Sequence, residues 1–195
     1  MEKYKSMEAI FFDLDGTLVK LPIDYESMRN ELKLIAKKYG LYSEFKPLFK
    51  EIKRLSFLHL EGEKFVKECI EIIKKYEIKG AEKAELLEGI KEILYLLKNK
   101  GIKIAIISNN SKECIEKVLE ITGIKNLIDL VIGRNSLEDL KPSPLPILNA
   151  LKILNVKKVI FVGDREEDRI AANKANIEFI EANKINELLS IINLH

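Results

Sequence analysis

Ala9-Ile10-Phe11-Phe12-Asp13-Leu14-Asp15-Gly16-Thr17 is the stretch that decides the fold. Four apolar residues, β-branched and aromatic among them, have the length and character of a buried strand. The run ends abruptly in two aspartates. Side chains alternate along a strand, so Asp13 and Asp15 leave it on the same side. Two carboxylates that close repel each other unless a proton or a cation sits between them. Placed where a buried strand ends, the pair suggests a hard divalent cation such as Mg²⁺, which takes oxygen ligands. Gly16 allows a sharp turn or a close approach to a ligand. The plain alternative is a solvated acidic turn.

Beyond this strand the hydrophobic period changes to that of helices. Tyr25, Met28, Leu32, Ile35 and Tyr39 mark one helical face, with Gly40 suited to end it. A second helix is expected from near Pro47, with Leu48, Ile52 and Leu55 inward. A third is expected from near Gly62, carrying Phe65, Cys69, Ile72, Ile73 and Tyr76, and closing at Gly80. Residues 19–82 therefore read as a small all-helical insertion, and residues 1–18 with 83–195 as the core domain. In the core, helix and strand patterns alternate: helix Leu86 to Asn99, strand Ile102 to Ile107, helix Lys112 to Ile121, strand Leu127 to Ile132. A helix opened by Lys141-Pro142-Ser143-Pro144 follows, with Ile147, Leu148, Leu151 and Leu154 inward. Strand Val159 to Val162, helix Glu166 to Ala175 capped by Asn176, strand Ile177 to Ile180 and a last helix near Ile185 to Ile192 complete the chain. The expected fold class is α/β: a Rossmann-like parallel sheet with helices on both faces, plus the helical insertion after the first strand.

Composition narrows the function. The 195 residues are 47% hydrophobic and 33% charged, with a formal net charge of +2, which fits a globular chain without a basic block. Neither nucleic acid nor a membrane surface is the expected partner. The apolar runs are too short to span a bilayer, and the N-terminus lacks the apolar region of a signal peptide, so the expected location is cytoplasmic. Cys69 and Cys114 read as free, partly buried thiols.

In parallel sheets, ligands bind outside the carboxyl ends of the strands. Polar clusters follow three of the expected strands directly: Asp13 and Asp15, Ser108 and Asn109, and Asp164. Lys141 lies in the connection after a fourth. Together they offer three acids, a hydroxyl, an amide and an ammonium, a set that suits a phosphate group beside Mg²⁺. Each cluster has a simpler alternative. Ser108 and Asp164 could be helix caps, and Lys141 could be one more surface lysine.

The set Asp13-Leu14-Asp15-Gly16-Thr17, Ser108-Asn109-Asn110, Lys141 and Gly163-Asp164-Arg165-Glu166-Glu167-Asp168 resembles the four motifs of the haloacid dehalogenase-like hydrolase superfamily, over the span from Ile10 to about Ala175. The resemblance implies that Asp13 is a nucleophile forming an aspartyl-phosphate, and that Asp15 moves protons to the leaving oxygen and from water. It implies a metal site of Asp13, Asp164, the backbone carbonyl of Asp15 and Asp168 as a second acid. Thr17, Ser108, Asn109 and Lys141 would bind the phosphoryl group. Asp15 is kept by the members that transfer phosphoryl groups, because an alkoxide leaving group needs a proton. The insertion resembles the family's small helical cap, which points to a small phosphorylated metabolite as substrate and to a monomer or homodimer. The expected activity is a Mg²⁺-dependent phosphatase of the phosphoglycolate phosphatase kind. A phosphomutase resembling β-phosphoglucomutase and a non-catalytic module binding a phosphorylated ligand are the alternatives.

Three places depart from the family pattern. Val19-Lys20-Leu21-Pro22 replaces the usual pair after Thr-Leu, Arg165 replaces a small residue, and Asn176 replaces a glycine. A carboxylate-bearing substrate would call for a cation, for which Lys20, Arg29 and Arg54 are candidates. A solvated surface charge is the alternative for each.

Overall fold

The structure is a computed structural model that describes residues 7–185. The described residues up to Leu21 and from Ala84 onward form one compact unit, and Pro22–Lys83 forms another.

The first unit is built on a five-stranded sheet of β1 (Ala9–Phe12), β4 (Lys103–Ser111), β5 (Leu130–Arg134), β6 (Val159–Gly163) and β7 (Glu178–Glu181), in the order β5-β4-β1-β6-β7. Every pairing is parallel. All four residues of β1 are fully buried, as a central strand covered on both faces requires. Ala9, Phe11, Ala105, Ile107, Val159 and Phe161 pack on one face with Ile147, Ala150, Ala171 and Ala172 of the helices α6 (Leu145–Leu154) and α7 (Glu166–Lys174). Their alternates Ile10, Phe12, Ile104, Ile106, Ile160 and Val162 are buried as well. Helices α4 (Ile90–Asn99) and α5 (Lys112–Thr122) add buried Ile93, Leu94, Leu97, Ile115, Val118 and Leu119. This is the expected α/β class with a parallel sheet flanked by helices.

The register positions the site. Phe12 of β1 is level with Ile106 of β4 and with Val162 of β6. Asp13, Ile107-Ser108 and Gly163-Asp164 therefore lie side by side, where β1 and β6 end and where β4, expected to stop at Ile107, shifts its register with β5 and continues to Ser111.

The second unit holds α1 (Tyr25–Lys38), α2 (Leu48–Ser56) and α3 (Gly62–Ala81). The Asp24 side chain caps α1 by accepting the Ser27 N–H at 3.0 Å. Met28, Leu32, Phe45, Ile52, Leu55, Phe65, Cys69 and Ile73 make its buried core. Cys69 and Cys114 are both buried, and neither is in a disulfide.

Several expected boundaries move. Val19–Lys20 is a short strand, β2, paired antiparallel with β3 (Glu85–Leu86), so neither segment is helical. The helix expected from Leu86 begins at Ile90, because Glu85 and Leu86 are committed to that pairing and Gly89 turns left-handed at φ 76°. The strand expected from Leu127 begins at Leu130, after a 3₁₀ turn over Lys125–Leu127. Leu148, expected inward, is 42% exposed, because Pro146, Ile147 and Ala150 form the buried stripe of α6. Asn176 does adopt the left-handed conformation, at φ 57°. The last expected helix lies outside the described residues beyond Ile185. No described helix is long and apolar enough to cross a membrane.

Candidate active site

Lys141 is the centre of the polar cluster. Only 5% exposed, its Nζ donates to Asp13 Oδ1 at 2.6 Å and to the Ile107 carbonyl at 2.8 Å, and pairs with Asp168 Oδ1 at 2.5 Å. It also lies 5.3 Å from the centroid of the Phe161 ring. Burial opposes the charge on Lys141, but Asp13 and Asp168 outweigh it and hold the ammonium above its usual range. For Asp168 burial is the leading influence and raises its carboxyl, against the lowering effect of Lys141. The lysine is thus a buried counter-ion, not a surface charge.

Backbone geometry delivers that lysine. The Asn109 side chain clasps its main chain from both ends: Asn109 Oδ1 accepts the Lys141 N–H at 2.8 Å, and Asn109 Nδ2 donates to the Lys141 carbonyl at 3.0 Å. Arg134 Nη1 in turn donates to the Asn109 carbonyl at 2.7 Å. Ser108 Oγ donates to Asn110 Oδ1 at 2.9 Å, while the side chain that caps α5 is Ser111, accepting the Cys114 N–H. Ser108 is therefore not that helix's cap.

The acids divide into two environments. Asp13 is 5% exposed, and its N–H donates to the Val162 carbonyl at 2.9 Å. Asp164 lies outside the buried core at the next strand end and accepts from Thr17 Oγ1 at 3.3 Å. Oxygens of Asp13, Asp164 and Asp168 all lie within 4.8 Å of one another. That is a hard, all-oxygen donor set, of the kind that suits a divalent cation such as Mg²⁺. Gly16 runs tight against it at φ 85°, and a Cβ there would fall 2.8 Å from Asp164 Cγ. The Asp15 carboxylate stands apart from this trio. Its Oδ1 accepts the Leu21 N–H at 3.1 Å, and its Oδ2 pairs with Arg165 Nη2 at 3.1 Å. Burial raises the Asp15 carboxyl, ahead of the opposing pull of Leu21 and Arg165.

The three candidate specificity cations fall in different units. Lys20 is exposed on β2. Arg29 and Arg54 belong to the helical unit: the Arg29 guanidinium lies 5.5 Å from the Tyr25 ring centroid, and Arg54 is paired with Glu51 on its own helix at 2.7 Å. His59 accepts the Glu61 N–H at Nδ1 and meets Tyr39 edge-on. Sequence reasoning noted Arg165 only as a departure from the family pattern, with no role assigned, and passed over Arg134. Arg165 carried a signal, its place directly after the Gly-Asp at the end of β6. Arg134 carried none, because its role depends on the pairing of β4 with β5.

The family model for haloacid dehalogenase-like hydrolases matches residues 10–182. The chain belongs to this family. The phosphoglycolate phosphatase of Aquifex aeolicus is 32% identical to this hydrolase over 177 residues, covering 87% of this chain and 81% of that protein. The pyrophosphatase PpaX of Halalkalibacterium halodurans is 27% identical over 177 residues, covering 88% and 81%. Among solved structures, CbbY from Rhodobacter sphaeroides in complex with phosphate has the same fold, with a TM-score of 0.66 at 22% identity over 90% of this chain and 86% of that one. This haloacid dehalogenase-like hydrolase is a phosphatase, and phosphatases of the family generally use a divalent metal.

Replacing Lys141 with Met leaves the buried Asp13 and Asp168 without their counter-ion. The variant should lose about 3–5 kcal/mol of stability at pH 8 in chelator. Without the lysine, the folded-state pKa of Asp168 moves further above its unfolded value, so the folded chain takes up a proton that the unfolded chain does not. Its stability should therefore recover as the pH falls towards 5. Denaturant titrations at the two pH values check this, and an equal deficit at both would contradict it.

Proposed function

We propose that this phosphatase hydrolyses a small phosphomonoester of the phosphoglycolate kind, through an aspartyl-phosphate on Asp13 and with Mg²⁺ bound. One observation carries the reading: the Asp13 carboxylate is buried against the Lys141 ammonium, and its oxygens gather with those of Asp164 and Asp168. The name of the Aquifex aeolicus relative supports the substrate class.

In this reading, Asp13, Asp164, the Asp15 carbonyl and Asp168 hold the metal. Mg²⁺ supplies positive charge that offsets the carboxylates and the phosphoryl oxygens. Lys141 holds Asp13 in place and lends a second positive charge to the transferring group. Ser108, Asn109 and Thr17 bind phosphoryl oxygens or position the groups that do. Asp13 attacks phosphorus, the bond from phosphorus to the leaving oxygen breaks, and that oxygen takes a proton from Asp15. Asp15 then accepts a proton from the water that attacks the acyl phosphate, releasing inorganic phosphate and restoring Asp13. Burial favours the protonated form of Asp15, the direction a proton donor needs.

Asp13→Asn should lower phosphate release from 2-phosphoglycolate by about 10³-fold or more while leaving the circular dichroism spectrum and thermal midpoint near those of the parent. Removing divalent ions should abolish turnover, and adding Mg²⁺ should restore it. Full activity in the Asn variant would overturn the mechanism. With a sugar phosphate, phosphorus NMR should show free phosphate, and an isomerised sugar phosphate in its place would mark a phosphomutase.

A further inference from the structure

Arg165 departs from the family pattern and lies inside the candidate active site. Its guanidinium donates from Nη2 to Asp15 Oδ2 at 3.1 Å, and its side chain is 52% exposed. Its backbone is anchored as well, since the Arg165 N–H donates to Asp168 Oδ2 at 3.2 Å. Asp168 pairs with Lys141, and Lys141 pairs with Asp13. Arg165 thus completes a chain of contacts that runs from Asp13 through Lys141 and Asp168 to Asp15. The place of its Cα is set by the most buried ions of the unit.

Arg165 also lines a cavity of about 250 Å³, together with Gly16, Asp164, Arg169, Phe179 and Glu181. Arg169, the other cation there, is engaged by Glu166, with Nε donating at 3.0 Å. Arg165 instead holds the carboxylate read above as the proton donor to the leaving oxygen. A group bonded a few atoms beyond that oxygen comes within reach of the same guanidinium.

We propose that Arg165 determines specificity by binding an anionic group, carboxylate or phosphoryl, carried on the leaving group. The proposal rests on Asp15 acting at the leaving oxygen. A half-exposed ion pair is weak and readily exchanged. The planar fork of an arginine grips a carboxylate or phosphate more firmly through two parallel hydrogen bonds. An incoming anion therefore recruits Arg165 at small cost to its contact with Asp15. The core unit by itself then distinguishes charged from uncharged leaving groups.

The test compares three compounds in Mg²⁺: 2-phosphoglycolate, pyrophosphate and 2-hydroxyethyl phosphate, which lacks the second anionic group. Arg165→Gln should lower kcat/KM for 2-phosphoglycolate relative to 2-hydroxyethyl phosphate by about 10-fold or more, mainly through KM. Arg165→Glu should lower the ratio further, and Arg165→Lys should recover part of it. A larger fall for pyrophosphate than for 2-phosphoglycolate would identify phosphoryl as the preferred anion, and the reverse would identify carboxylate. The same preference should appear in the dissociation constants of the three compounds for Asp13→Asn, measured by calorimetry with and without Arg165→Gln. Parallel changes for the charged and uncharged compounds in the Gln and Glu variants would overturn the proposal and leave Arg165 a positioning residue for Asp15. Failure of the parent enzyme to release phosphate from any of the three would overturn the hydrolytic reading instead, and the binding comparison would still decide the role of Arg165.

Discussion

The ammonium of Lys141 between the carboxylates of Asp13 and Asp168 is the interaction on which the rest of the candidate site depends. Two buried carboxylates cannot remain charged side by side without compensation. A lysine inserted between them supplies it, and the carbonyl of Ile107 accepts a further hydrogen bond from its ammonium. Such an arrangement is costly to desolvate and contributes little net stability compared with apolar packing. Its presence in the sheet core is explained by what it holds in place: the Asp13 side chain at the end of the central strand, shielded from water.

Parallel pairing is what makes this economical. Because β1, β4 and β6 run the same way in matched register, one short motif from each lies at the same level. The helices and connections between them can vary without moving those motifs. Asn109 adds the fourth piece by clasping the main chain of Lys141, and Arg134 steadies Asn109 from β5. Each functional side chain is thus held by a neighbour whose own position the sheet dictates.

Asp15 and Asp168 show how environment separates like residues. Both carboxyls are raised by burial, yet Asp168 is tied to the buried lysine while Asp15 meets a half-exposed arginine and one backbone N–H. The first can serve as a fixed charge within the cluster. The second meets its partners at the rim, as the proposed proton-transfer role requires.

The sequence by itself determined the fold class, because strand and helix periodicities alternate clearly and each strand is short, apolar and followed by polar residues. It also pointed to Asp13, Asn109 and Asp164 as polar residues following neighbouring parallel strands and to Lys141 in an adjoining connection, whereas Asp168 entered only through the resemblance to the family. What it could not reach depends on partners distant in the chain. The pairing of Val19–Lys20 with Glu85–Leu86, which moved the start of α4, joins segments with no patterned signal of their own. The exposure of Leu148 follows from which stripe of α6 the sheet covers. Ser108 or Ser111 as a helix cap differs only by where β4 stops. The contact of Arg165 with Asp15 spans 150 positions. Local side-chain pattern fixes periodicity and turn chemistry, whereas register and long-range ion pairing arise only when the whole sheet closes, and those were left to the tertiary structure.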